Sequence, residues 1–245
     1  MISAVLLTAC STATTPGHAS QPSSAASAKP SLVYAAIGAS ETLGIGARQP
    51  TSESWPQVFY RTALPQAAVY YNFGVSGDTV SGAMTDQAPE ALGIDPTLVT
   101  VWLNVNDLLA GVPAARYHDQ LEKLVHDLRR GGMARVLVAN VPAIDHLPAY
   151  LACHGGPTSS TVACPASPVA HLAAPALNAI VDAYNAAIAD VVRREGAILV
   201  DLHSRGETPV SHPEWVSADG FHPSTAGYAQ IARAFADQYR LLASR

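Results

Sequence analysis

Cysteine is scarce in this chain of 245 residues, which carries three. Three thiols build neither a disulfide scaffold nor a four-thiolate zinc site. Charge is scarce as well: 14 Lys and Arg stand against 19 Asp and Glu, 13% of the chain, for a net charge of −5. So few cations make no phosphate-tracking surface, and no nucleic-acid partner is expected. No apolar run approaches the ~20 residues that span a bilayer. The Gly-x-x-x-x-Gly-Lys-Ser/Thr loop of nucleotide sites is missing, and Gly38, Gly44 and Gly46 do not make the Gly-x-Gly-x-x-Gly of a dinucleotide site. Nine histidines form no His-Glu-x-x-His or similar cluster, so no metal and no cofactor are expected. What is plentiful is apolar surface, 49% of residues. That suffices for one sizeable core, not comfortably for two, and excludes disorder throughout.

The first ten residues, Met1-Ile2-Ser3-Ala4-Val5-Leu6-Leu7-Thr8-Ala9-Cys10, read as the end of an export signal: a short apolar run closing on small residues. The ending Leu7-Thr8-Ala9-Cys10 resembles the bacterial lipobox, in which the cysteine is lipidated and becomes the new N-terminus. No Lys or Arg precedes the run, so the true start is expected upstream. Residues 11–31, rich in Ser, Thr, Ala and Pro, read as a flexible tether, and the folded domain is expected over 32–245. The only membrane contact expected is this N-terminal lipid anchor, on an exported protein that is a bacterial cell-envelope lipoprotein or is secreted. Outside the cytosol, the remaining pair Cys153 and Cys164 is most simply a disulfide. Closing so short a loop contributes roughly 3 kcal/mol in the chain-entropy model.

From residue 32 onward short apolar runs alternate with amphipathic stretches. Residues 32–37, 67–73, 98–104, 135–141 and 198–202 predict five strands, most without polar alternation, as suits strands buried on both faces. Between them, Ser54-Trp55-Pro56 predicts a helix start with serine as cap and proline in the first turn. Helices are also predicted over 113–130, 174–195 and about 224–242, the first of these halted by Gly131-Gly132. Such alternation predicts an α/β protein: a five-stranded parallel sheet with helices on both faces, in the flavodoxin-like order. The structure-poor stretch 142–173 is long for a compact domain and reads as functional, a wall of the substrate pocket carrying Tyr150.

Ligands of open parallel sheets sit beyond the carboxyl ends of the strands. There the sequence places Gly38-Ala39-Ser40-Glu41, then Gly74-Val75-Ser76-Gly77-Asp78-Thr79, then Asn104-Val105-Asn106-Asp107, and, before the last helix, Asp219-Gly220-Phe221-His222-Pro223. A hydroxyl, a glycine loop, a side-chain amide and an Asp/His pair make the inventory of acyl transfer. Ser40 is the candidate nucleophile and His222 its base, with Asp219 fixing the imidazole tautomer. The backbone N–H groups of Ser40 and Gly77 and the amide of Asn106 are the candidate oxyanion hole. Taken singly, each is ordinary: a serine after a strand is usually a turn residue, and Asn106-Asp107 suits a helix start. Their joint order carries the reading. Ser76 is rejected as a rival because its setting is not the Gly-x-Ser-x-Gly elbow. His118 and His126 read as solvated helix residues, and Asp201 with His203 as a structural pair.

These four blocks, in this order, resemble the SGNH (GDSL-type) hydrolases, a family of esterases and lipases, and Ser54-Trp55-Pro56 and Pro213-Glu214-Trp215 resemble its small secreted thioesterase/lysophospholipase-like branch. The resemblance implies a three-layer α/β/α fold, no metal, and catalytic roles for Ser40, Gly77, Asn106, Asp219 and His222. Two positions depart from the family pattern: Ala39 stands where Gly-Asp-Ser has its carboxylate, and Asn104 where Gly-x-Asn-Asp has its first glycine. The expected function is hydrolysis of small-molecule or lipid carboxylic esters through an acyl-enzyme, by a monomer. Carbohydrate O-acetyl esters and thioesters are alternative substrates. The competing function is a non-catalytic surface lipoprotein that binds acylated glycans or lipids.

Overall fold

The computed structural model describes residues 32–204 and 211–243. Cys10 and the expected leader and tether therefore lie outside the described residues. In chain order the elements are β1 (Val33–Gly38), α1 (Ser40–Leu43), α2 (Pro50–Glu53), α3 (Trp55–Ala63), β2 (Val69–Asn72), α4 (Val80–Thr85), α5 (Gln87–Gly93), β3 (Leu98–Trp102), α6 (Val105–Leu109), α7 (Ala114–Arg129), β4 (Arg135–Ala139), α8 (Pro148–Ala152), α9 (Ala174–Glu195), β5 (Ile198–Val200) and α10 (Thr225–Ala243). All five strands are parallel, in the order β2-β1-β3-β4-β5. This is the flavodoxin-like order, and the sheet is covered on both faces.

Strand β1 shows why the sheet needs two layers. Every residue in it is buried, and successive side chains leave on opposite faces. Ala35 and Ile37 join a mainly aliphatic core with Val99, Val101, Leu121 and Leu124. Tyr34 and Ala36 join an aromatic core with Trp55, Phe59, Trp102 and Phe235. In the second core Trp55 stacks on Phe235 with ring centroids 4.1 Å apart. Truncating a fully buried leucine such as Leu124 would cost about 2–5 kcal/mol.

Departures from the sequence reading are local. Ser54 occupies the cap position of α3, yet its side chain makes no cap bond; a side-chain cap is instead found at α4, where Gly82 N–H donates to Thr79 Oγ1 at 3.2 Å. Helices α4 and α5 were not legible as periodic patterns, being six and seven residues long. His118 is not solvated: it lies on the seam between α7 and α9, its Nδ1 3.1 Å from Asp119 and its Nε2 3.0 Å from Asp190. His126 is exposed as expected. Among the described residues no helix is long and apolar enough to cross a membrane.

The stretch 142–173 contains α8 and a 3-10 turn at Pro168–His171. A disulfide joins Cys153 to Cys164, 11 residues apart. Tyr150 is buried and its hydroxyl donates to the Leu172 carbonyl at 2.8 Å, so it braces the stretch and is not the pocket wall the sequence suggested.

Candidate active site

The carboxyl edge of the sheet is stitched by asparagines. Asn72 Nδ2 donates to the Thr42 carbonyl (2.8 Å), Asn104 Nδ2 to Ala139 (3.1 Å), and Asn140 Nδ2 to Asp201 Oδ1 (2.8 Å), each linking one strand's end to its neighbourhood. Asn104 thus occupies the family's glycine position as a tie between β3 and β4. Asp201 and His203 do not pair through the ring, whose Nδ1 faces the Val141 carbonyl at 3.2 Å. His203 lines the large cavity described below, contrary to its reading as purely structural.

Ser40 is the first residue of α1, at the tight turn out of β1. Glycine is required two residues before it: a Cβ on Gly38 would lie 1.9 Å from Thr42 Oγ1 and 3.0 Å from the Trp102 carbonyl. As the first helical residue, Ser40 has an N–H with no intrahelical acceptor. Its side chain is largely buried, and its Oγ lies 3.0 Å from His222 Nε2. On the far side of the ring, Nδ1 lies 2.6 Å from Asp219 Oδ2. With Nδ1–H donating to the carboxylate, Nε2 is left to accept the serine proton. The structure therefore brings Ser40, His222 and Asp219 into one hydrogen-bonded chain across 182 positions of sequence.

Asp219 is held by its own loop. Its Oδ1 accepts from Ser217 Oγ (2.7 Å) and from the backbone N–H of Phe221 (2.8 Å) and His222 (2.9 Å). Burial pushes its pKa up, but the bonds from Ser217, His222 and the two backbone N–H groups outweigh that and hold it below the ordinary value. The loop is braced from outside by the Ala149 N–H, which donates to the Gly220 carbonyl at 3.0 Å.

Asn106 is tied to the loop that carries Gly77. Gly77 has φ +79°, and a Cβ there would meet nothing within 4 Å. The left-handed backbone, rather than crowding, is what calls for glycine. Asn106 Nδ2 donates to the Asp78 carbonyl at 2.8 Å, spending one amide hydrogen and leaving the second. Asp107, 1% exposed, accepts the Val80 N–H on both oxygens at 3.3 and 3.1 Å. Burial pushes its pKa up to about 6, against the bond from Val80. Ser76, the rejected rival, is exposed on the loop.

One residue of the site escaped the sequence reading altogether. Gln87, 2% exposed, accepts the Gly38 N–H at 3.0 Å and donates back to the Gly38 carbonyl at 3.0 Å. It also donates to Asp78 Oδ2 at 2.6 Å. A single amide thus ties the backbone before Ser40 to the loop that carries Gly77. Ala39 is buried and apolar, so the turn's polar organisation comes from α5 instead of from position 39. No sequence signal marks Gln87, which sits 49 residues from its partner.

Beside Ser40 opens a cavity of about 610 Å³, lined by Glu41, Trp102, Ile144, Leu147, Trp215 and Phe221 among others. Only the start of the stretch 142–173 reaches it; the disulfide loop does not. Among the described residues, Cys153, Cys164 and His171 are grouped closely enough for one ion, but the two sulfurs are bonded to each other.

No curated protein matches the chain in sequence. Solved structures match its fold: the psychrotrophic esterase EstA from a Pseudoalteromonas species (17% identity, TM-score 0.62, covering 87% of this chain and 100% of that one), and a lipase/acylhydrolase from Enterococcus faecalis (18%, 0.62, 84% and 94%). A phospholipase A1 from Streptomyces albidoflavus is similar as well (17%, 0.59, 83% and 98%). At these identities the likeness is one of fold. The family model for GDSL-like lipases and acylhydrolases matches residues 36–230. The chain belongs to the GDSL-like lipase/acylhydrolase family, and so to the carboxylic ester hydrolases.

Proposed function

We propose that the protein is a serine esterase working through an acyl-enzyme, with Ser40 as nucleophile, His222 as general base and acid, and Asp219 as the orienting carboxylate. The observation that carries the reading is the 3.0 Å and 2.6 Å chain from Ser40 through His222 to Asp219. Ser40 Oγ attacks the ester carbonyl while its proton passes to Nε2. The tetrahedral oxyanion is met by the N–H groups of Ser40 and Gly77 and by the second hydrogen of the Asn106 amide. On collapse the bond to the alcohol breaks, and Nε2 returns the proton to the leaving oxygen. Water repeats the sequence to release the acid. Asp219 holds the neutral tautomer before attack and stabilises the imidazolium after it.

The mostly apolar cavity beside the nucleophile supports substrates larger than acetyl esters. The leader ending at Cys10, the tether over 11–31 and the disulfide support an exported lipoprotein held off a membrane by acyl chains. The functional test is hydrolysis of p-nitrophenyl esters of increasing acyl length by the full chain, with Ser40→Ala beside it and fluorophosphonate labelling as the readout of an activated serine. Turnover and labelling that vanish in the variant support the esterase. A folded wild type that neither turns over nor labels would favour a binding protein of the same fold. For the anchor, metabolic labelling with an alkynyl fatty acid should be lost in Cys10→Ser.

A further inference from the structure

The mechanism leaves one buried ionisable group at the centre of the site without a task. Glu41 follows the nucleophile directly, is 8% exposed, and has no Lys or Arg partner among the described residues. Its Oε2 lies 3.5 Å from Ser40 Oγ, at the limit of a hydrogen bond. The serine proton is claimed by the nearer His222 Nε2, so the firm bond to the carboxyl group is the one from its own backbone N–H, and acceptor and donor capacity is left over. A buried carboxyl without a cation is destabilising, and such groups concentrate where they serve function.

Its position says what it meets. Two recesses adjoin at Glu41. One is a small cleft shared with Ala39, Asn104 and Asn106, beside the oxyanion donors. The other is the 610 Å³ cavity. Trp102 and Val105 line both together with Glu41, so these three stand between Asn106 and the cavity, and the cleft itself is too narrow to hold a water. Two of the three are apolar, and the nearby walls contributed by Ile144, Leu147 and Phe221 are apolar too. A substrate reaching from Ser40 into the cavity passes the Glu41 carboxyl group and Trp102, whose indole N–H has no partner among the described residues, while His203, Gln230 and Arg233 also line the cavity.

We propose that Glu41 is a specificity-determining residue whose carboxyl group hydrogen-bonds a hydroxyl carried a few bonds from the ester carbonyl, on the acyl or the alcohol half. The inference rests on the esterase reading above and names its substrate class: hydroxylated esters in preference to plain fatty esters. Burial raises the pKa of Glu41 and favours its neutral form, which both donates and accepts, the two capacities a hydroxyl complements. A plain alkyl group in the same place covers the carboxyl without supplying that bond, and the difference is the discrimination.

The test compares kcat/KM within matched pairs for the wild type, Glu41→Gln and Glu41→Leu. One pair, p-nitrophenyl butyrate against p-nitrophenyl β-hydroxybutyrate, probes the acyl half. Ethyl butyrate against glycerol monobutyrate probes the alcohol half. The wild type is expected to favour the hydroxylated member of one pair by about tenfold or more. Glu41→Gln, which keeps a donor and an acceptor, should retain most of that ratio, and Glu41→Leu should bring it to one or below. The pair that responds identifies the half. Plain esters turned over with the same ratio in all three proteins would overturn the inference and leave the esterase standing. So would equal losses on every substrate accompanied by a shifted pH profile, which would mean that Glu41 acts through His222. If no ester is turned over and fluorophosphonate leaves Ser40 unlabelled, the esterase reading fails and this inference fails with it.

Discussion

The two halves of the site are built on different principles. The Ser40 half is assembled from afar: Gln87 reaches Gly38 across 49 positions, Asn106 reaches Asp78 across 28, and Asp107 reaches Val80 across 27. The His222 half is assembled within one loop, where every bond to Asp219 comes from a residue two or three positions away. Long-range ties hold only while the whole sheet is in place, whereas the Asp219 loop carries its own geometry and is braced from outside by the Ala149 N–H, with Pro148 and Val162 against Gly220. A site built this way joins a part that depends on the entire fold to one that is nearly a local motif. The joint is the Ser40–His222 hydrogen bond.

Breaking that joint should have the largest effect. Ser40→Ala and His222→Ala are each expected to lower kcat by a factor on the order of 10⁴–10⁶, as members of a unit that fails together, and the double variant should be little worse than either. Multiplicative losses in steady-state assays would separate the two residues. Next is Asn106→Ala, expected to cost about 10²–10³ in kcat if its free amide hydrogen meets the oxyanion. Full activity would leave the hole to backbone donors alone.

The comparison sharpens with a matched pair of supporting residues. Gln87→Leu removes three hydrogen bonds, two of them buried, and leaves the Gly38 N–H unpaired while its carbonyl keeps only the Val75 N–H, so kcat should fall roughly tenfold to a hundredfold, with thermal stability lowered as well. Ser217→Ala removes one bond of several to Asp219, and a loss of only about two- to fivefold is expected. Equal losses in the two variants, measured as fluorophosphonate labelling rates below the melting temperature, would refute the distinction between a distributed and a local half.

The same distinction decides what was legible in the sequence. Asp219 and His222 stand three apart, and the Gly38-Ala39-Ser40 turn follows a buried strand, so spacing and strand ends were enough to mark them as candidates. The sheet was legible because its strands are apolar runs between turn residues. Gln87 was not, since it lies at the head of a seven-residue helix with no periodic face, and its partners are fixed only once β1 and α5 pack. The same holds for the cavity. It is contributed to by residues after β1, β3, β4 and β5 and by α10, so no single stretch announces it. For that reason the stretch 142–173 was credited with a wall of which only its first residues form part, while α8 and Val162 of its disulfide loop instead lie against Gly220 in the His222 loop.

Acid should set the two halves against each other. Asp107 belongs to the distributed half, and burial lifts its folded-state pKa to about 6, above the ~3.9 of an unfolded aspartate. In the window between, the folded protein binds the proton that the unfolded chain does not, so this group makes the protein more stable as pH falls from about 7 to 4. Asp219 belongs to the local half, and its folded pKa is depressed. Its contribution is present above the unfolded value and is lost as pH falls below ~3.9. Melting temperatures of the wild type, Asp107→Asn and Asp219→Asn across pH 3–8 test both signs against a common background. Relative to Asp107→Asn, the wild type should gain several degrees between pH 7 and 4. Relative to Asp219→Asn, it should hold its advantage over that range and lose it only below about pH 4. Differences that stay constant with pH would mean that neither carboxylate titrates as its surroundings dictate. Both shifts in the same direction would mean that burial governs the two halves alike, and that the local bonds to Asp219 are weaker than their geometry implies.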